Sequence, residues 1–149
     1  MSFSMEHEDM LPNFGLHCDC NVIEMGGVTP TTIIRTDTPF QVQFDWETSG
    51  MLNYVMAGTW HLQVFMEKMG GEEFSFPSGI GKQDAAFVSQ PYHYQASDPH
   101  HQINIPAGVV PTGVYRLVVT MTMTGPSGYQ APIALFGEGP LVQLYDVGP

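Results

Sequence analysis

Charged residues are scarce in this chain, and basic residues are the scarcest. Only 13% of its 149 residues are charged, and fifteen acidic residues against four basic ones give a formal net charge of −11. Binding to nucleic acid or to an anionic membrane uses clustered Lys and Arg, whereas the four basic residues here are scattered, at Arg35, Lys68, Lys82 and Arg116. We therefore expect neither nucleic acid nor a membrane as a partner, while a basic protein or a metal cation stays electrostatically possible.

Long hydrophobic runs, a targeting signal and paired cysteines are also missing. No apolar run approaches the ~20 residues of a membrane span, and residues 1–10 lack the basic start and apolar stretch of a secretory signal. The only cysteines, Cys18 and Cys20, are two positions apart, too close for an ordinary long-range disulfide. These absences favour a reducing compartment and predict a cytoplasmic protein.

Helical periodicity is absent, and a two-residue alternation takes its place. In the run from Gly113 to Thr124, apolar side chains fall on one side and Arg and Thr on the other, with Val118 as the apolar exception. The same alternation runs through 40–47 and 59–67. Shorter strands are predicted near 21–25, 31–36, 86–89, 92–95, 101–105, 133–136 and 141–147, with a bulge or kink at Gly139-Pro140.

These patterns predict one all-β domain. Its hydrophobic content of 43% and its length suit a single core. We expect an antiparallel β-sandwich of about seven to nine strands over residues 21–149, preceded by a flexible N-terminal arm over residues 1–20.

The segment Gly113-Val114-Tyr115-x-Leu117-x-Val119 follows a turn and an Ile103-x-Ile105 strand. Together these resemble the corner between the fifth and sixth strands of immunoglobulin-like and fibronectin-III-like sandwiches. Trp60 resembles the core tryptophan of that architecture. The resemblance covers about residues 30–147 and implies that the Tyr115 hydroxyl is held against nearby backbone. Leu117 stands where antibody domains have a cysteine, so no disulfide between the sheets is expected.

Two clusters of metal-ligating residues suggest an alternative. His17, Cys18 and Cys20 are soft ligands suited to Zn or Cu, and a second cluster comprises His93, His100 and His101. If the two segments meet, they could form the site of a metal-binding protein or a metal-dependent enzyme. Against this, one residue between the cysteines is fewer than in common zinc motifs. Packed thiols, and a histidine loop used for hydrogen bonding or partner contact, are the plainer interpretation.

Catalytic motifs are missing as well. The chain has no Gly-x-Ser-x-Gly, no His-Glu-x-x-His and no phosphate-binding glycine loop. A sugar-binding surface on Trp46, Tyr92 and Tyr94 is a third possibility, based on aromatic content alone.

The leading prediction is a non-enzymatic interaction or structural assembly module without a cofactor. It would bind other proteins or further copies of itself as a homo-oligomer. Its contact surface is predicted from side chains on nominally outward strand faces beside Gln41 and Gln43. They are His61, Gln63, Phe65 and Val118.

Overall fold

The computed structural model of the protein describes residues 2–4, 6–7, 11–25 and 32–146. The strands in chain order are β1 (Ser2–Ser4), β2 (Glu6–His7), β3 (Gly15–Glu24), β4 (Ile33–Arg35), β5 (Phe40–Ser49), β6 (Thr59–Lys68), β7 (Lys82–Ala86), β8 (His93–Tyr94), β9 (Gln102–Ile105), β10 (Gly113–Thr124) and β11 (Gln130–Tyr145). Within these residues the helices are two 3-10 turns, Met51–Val55 and Pro99–His101, and neither is long and apolar enough to cross a membrane.

The strands form two sheets, which confirms the all-β prediction. From Gly15 onward, nine described strands divide into sheets of four and five, one of which curls strongly into a half-barrel. In the first sheet β3 pairs with β5, and both β8 and β9 pair with the other edge of β5. In the second sheet the order is β4-β11-β10-β6-β7, and β4 runs parallel to β11. The short strands β1 and β2 add one strand to each sheet.

The core lies between the sheets and follows the alternation in the sequence. In β5 the alternate residues Phe40, Val42, Phe44 and Trp46 are buried, and in β10 the row that begins with Tyr115 is buried in the same way. Burial of each large apolar side chain contributes about 2 kcal/mol relative to exposure. The same alternation leaves each sheet a second, outward face, where a functional surface can lie.

The predicted interruption at Gly139-Pro140 is a bulge within one continuous strand. Arg116 is opposite Leu141, but Val118 is opposite Glu138, so β11 contains one more residue than β10 at this point. Proline has no N–H for the ladder, and a bulge accommodates it. The prediction of a bulge in a last long strand is therefore confirmed.

Two boundaries differ from the sequence prediction. The arm predicted over residues 1–20 includes residues 15–20, which belong to β3, because Leu16, Cys18 and Cys20 continue the inward alternation of Val22. The strand predicted near 86–89 begins earlier, because Lys82–Ala86 form β7 by pairing with β6. Parts of the predicted strands at 31–36 and 141–147 lie outside the described residues.

Candidate interaction surface

The outward face of the second sheet brings together most of the residues predicted to make contacts. Phe65 on β6 is directly opposite Val118 on β10, and Gln63 is opposite Thr120. On the other side of β10, Thr120 is opposite Phe136 of β11. Phe65, Val118 and Phe136 therefore form a continuous apolar patch across three strands, since diagonal neighbours in a sheet are within reach of aromatic side chains.

The two aromatic members of this apolar patch remain exposed to solvent. Phe65 is 42% exposed and Phe136 is 49% exposed, whereas Val118 is only 6% exposed. Val118 is thus already covered by its neighbours, and the rings present the accessible apolar area. Val118 was predicted as a contact residue, but its position makes it the floor of the apolar patch.

The apolar patch lines a groove of about 740 Å³. One side of the groove is the outward face of β6 and β10, and the other is the segment 73–80 that leads towards β7. The lining includes Gln63, Phe74, Phe76 and Ile80 besides the apolar patch. Apolar and polar groups therefore share this concave surface, as is common where proteins bind a partner.

Basic residues gather around the groove, although they are scattered in the sequence. Lys68 and Lys82 line it, and Arg116 lies on the same face, with its Nη1 3.9 Å from Glu138 Oε2. Glu67 and Glu73 also line the groove. Among the described residues, neither lysine forms an ion pair. Two of the chain's four basic residues thus line the groove, and a third, Arg116, lies on the outward face of β10.

The other predicted contact residues are separated from this groove in different ways. His61 is on the same face, but its Nδ1 is 2.7 Å from Asp84 Oδ1 and its Nε2 is 2.8 Å from Thr124 Oγ1, so both ring nitrogens are engaged. Gln41 and Gln43 lie on β5, in the first sheet. The expectation that they sit beside His61 and Phe65 is wrong, because β5 and β6 belong to opposite sheets.

The proposed metal ligands of the N-terminal cluster point in opposite directions. Cys18 and Cys20 are fully buried in the core, whereas His17 is on the outward face of the first sheet. Burial raises the pKa of the Cys20 thiol well above its usual value, and a hydrogen bond with Cys18 adds to this. Metal ligation requires a thiolate, which this environment disfavours.

The second histidine cluster is likewise dispersed. His93 is exposed on β8, and the side chain of His100 is 76% exposed on the 3-10 turn. His101 is buried, with its ring 4.7 Å from that of Trp46 and its Nδ1 2.7 Å from the Gln95 carbonyl oxygen. No group of three or more potential ligands in the described chain is arranged to hold a metal ion.

One pair from the two clusters does share a surface. His17 and His93 both lie beside Glu47, on opposite sides of it, in the outward face of the first sheet. Each histidine already has a carboxylate partner, however. His17 Nε2 is 3.1 Å from Asp19 Oδ2, and His93 Nε2 is 2.6 Å from Asp45 Oδ1.

The aromatic residues considered for sugar binding are mostly internal. Trp46 and Tyr94 stack with ring centroids 4.6 Å apart, and each is only 1% exposed. Tyr92 alone is accessible, at 41% exposure. Because a sugar needs an exposed aromatic face, Trp46 and Tyr94 serve the core instead.

Phe136 is the member of the apolar patch that sequence reasoning missed. The strand at 133–136 was recognised, and Ile133 and Leu135 take its inward positions. Strict alternation therefore places Phe136 outward.

Comparison with known proteins does not identify a family for this chain, because no family model and no curated protein matches it.

Proposed function

We propose that the protein is a non-enzymatic interaction module that binds proteins through the outward face of its second sheet. The observation that carries this proposal is the pair of exposed rings, Phe65 and Phe136, on either side of Val118 at the groove. Leaving about half of a phenylalanine in water forgoes about 1 kcal/mol of stabilisation per ring. A partner that covers both rings recovers that free energy.

The contrast between the two outward faces supports the choice of surface. On the first sheet the outward positions of β5 are Gln41, Gln43, Asp45 and Glu47. On the second sheet, Val114 and Leu141 are also exposed, at 37% and 47%. Exposed apolar side chains that share one face, bordered by polar residues, are typical of protein interaction sites.

We further infer that the two sheets form an immunoglobulin-like sandwich. Three features support this. The strand order β4-β11-β10-β6-β7 includes a parallel pairing of β4 with β11. Trp60 is completely buried in the core, and Tyr115 bonds to the Pro111 carbonyl before β10. Because this architecture serves many functions, the proposed function depends on the surface and not on the fold.

The proposal also includes a reducing, cytoplasmic setting. Both cysteines are free and buried in the core, where each acts as a small apolar side chain. Such a pair needs no oxidising environment to support the fold.

The test is chemical cross-linking of the tagged full chain in an extract of its source cells. We expect cross-linked complexes with the wild-type chain and their loss in the double variant Phe65→Glu/Phe136→Glu. Tyr54→Glu is a matched control, because Tyr54 is 61% exposed on a 3-10 turn and lies outside the groove lining. It removes an aromatic ring and adds a charge without touching the apolar patch.

Circular dichroism and the melting temperature establish that each variant is folded before it is compared. Complexes that persist in the folded double variant would refute the choice of surface. Equal loss in the double variant and in Tyr54→Glu would do the same, since net charge and not the apolar patch would then control binding.

A further inference from the structure

We infer that the partner of this surface is a second copy of the same chain, which forms a symmetric dimer through the outward faces of the two second sheets. The inference rests on the proposed function, since it uses the same surface. It is argued from the charge of that surface, from the lysines at the groove, which have no ion-pair partner among the described residues, and from its area.

The first argument is the distribution of charge. The chain carries a net charge of −11, so two copies repel each other over most of their surface. On the outward face of the second sheet, Lys82 and Arg116 lie among Glu67, Asp84 and Glu138. That face is therefore close to neutral, and two copies can approach through it at little electrostatic cost.

The opposite face would not permit such an approach. Asp19, Asp45 and Glu47 are outward on the first sheet, and no Lys or Arg lies on the strands of that sheet. A basic foreign protein would be drawn to those carboxylates. The apolar patch is thus on the less acidic of the two faces, which is the one through which two copies of this acidic chain can approach each other.

The second argument is the pair of lysines at the groove. Neither Lys68 nor Lys82 has an ion-pair partner among the residues that the structure describes. A second copy brings fifteen acidic residues. Lys82 is on the outward face, opposite Gln63, so contact across the dimer would supply it with a carboxylate while Phe65 and Phe136 become covered. Lys68 is opposite Tyr115, on the inward row at the end of β6.

The third argument is the size of the face. The five strands contain 46 residues in all, and at ~3.4 Å per residue and ~4.8 Å between strands they present a face of about 750 Å². Two such faces bury at most about 1,500 Å² in total, which lies within the ~1,200–2,000 Å² of a stable specific interface. A symmetric dimer uses the same area twice, so no further surface is needed.

The experiment is sedimentation velocity of the purified full chain over a wide range of concentrations. We expect a reversible monomer–dimer equilibrium that Phe65→Glu and Phe136→Glu each weaken by about tenfold or more. Tyr54→Glu adds the same charge away from the face and should leave the dissociation constant nearly unchanged. Added salt should strengthen the wild-type dimer, because it screens the repulsion between the two acidic chains.

The variant Phe65→Lys distinguishes the loss of the apolar contact made by Phe65 from the effect of the chain's net charge on dimerisation. This variant makes the chain less acidic, so a dimer limited only by overall repulsion would tighten, whereas a dimer that buries Phe65 would weaken. We expect weakening, with the melting temperature of the monomer retained.

The inference fails if the wild-type chain is monomeric at every concentration, or if its dimer is insensitive to both phenylalanine variants. A monomeric chain that still loses a foreign partner through Phe65→Glu/Phe136→Glu would overturn the dimer and leave the proposed function intact. A monomeric chain with no partner sensitive to these changes would overturn both.

Discussion

The hydroxyl of Tyr115 donates a 2.7 Å hydrogen bond to the carbonyl oxygen of Pro111, four residues earlier in the chain. The ring is fully buried and meets the ring of Phe74 edge-on, with centroids 5.7 Å apart. Burial raises the pKa of the hydroxyl, which keeps it protonated as a donor. The bond thereby ties the turn that precedes β10 to Tyr115, the first buried residue of that strand.

Removing this hydroxyl should destabilise the fold without disrupting it. Tyr115→Phe keeps the ring and deletes the donor, so we expect the free energy of unfolding to fall by about 1 kcal/mol. Urea denaturation followed by fluorescence measures it. Tyr129→Phe is the control, since Tyr129 is 79% exposed and should tolerate the change. Equal stability of wild type and Tyr115→Phe would mean that the bond contributes nothing.

Replacing Leu117 tests whether the inward face of the long strand β10 is packed in the core. Its side chain is completely buried, and it also lies against the bulge, where a Cβ on Gly139 would be 3.3 Å from the Leu117 Cβ. Leu117→Ala should reduce the free energy of unfolding by about 2–5 kcal/mol, through lost burial and the cavity left behind.

The comparison variant for Leu117→Ala is Thr122→Ala, on the outward face of the same strand. Surface changes of this kind alter stability by less than about 0.5 kcal/mol. The same urea titration measures both variants. Similar losses in the two would show that β10 does not have one buried face and one outward face.

His93 and Asp45 should form a pair whose strength depends on pH. The hydrogen bond that His93 Nε2 donates to the Asp45 carboxylate raises the pKa of His93 above its ordinary value. A raised pKa in the folded state means that the pair stabilises the fold fully below the unfolded pKa of about 6.5. That stabilisation is lost as the pH rises through the higher, folded pKa. The side chains are 45% and 39% exposed, so solvent screens the effect.

The measurement for this pair is an NMR titration of the His93 ring protons. We expect a midpoint above about 6.5 in the wild-type chain, and a lower midpoint in Asp45→Asn. Asp37→Asn is a matched control, because Asp37 pairs with Arg35 at a different part of the surface. A His93 midpoint that Asp45→Asn leaves unchanged would contradict the assignment.

The alternation of apolar residues predicts much of this fold because each strand has one buried face. It identified the extended character of β5, β6 and β10, while the Gly139-Pro140 interruption predicted the bulge or kink in the last strand. The alternation was not extended to residues 15–20, which the prediction assigned to the N-terminal arm, although packed thiols were the plainer interpretation of Cys18 and Cys20. Their alternation with Leu16 and Val22 is the signal that shows them to be core residues.

The candidate surface was only partly predictable, for a topological reason. Alternation states which side chains point outward, but not which sheet they belong to. Gln43 and Phe65 both point outward, yet they lie on opposite sheets. Phe136 joins Phe65 only because β11 and β6 both pair with β10, and pairing between strands so distant in sequence is not visible in one sequence.

The buried cysteines give a last prediction, on reactivity. Cys18 and Cys20 are both completely buried, and burial raises the pKa of Cys20. Thiol reagents attack the thiolate, so both residues should react only when the protein opens. We expect labelling of the native chain to be more than about a hundredfold slower than labelling in urea. Ser127→Cys supplies an internal control, because residue 127 is exposed in a turn and its thiol should react at once. If Cys18 or Cys20 reacts as fast as that surface thiol in the native chain, then β3 does not pack its inward face against the core, and the metal-binding interpretation of these thiols regains support.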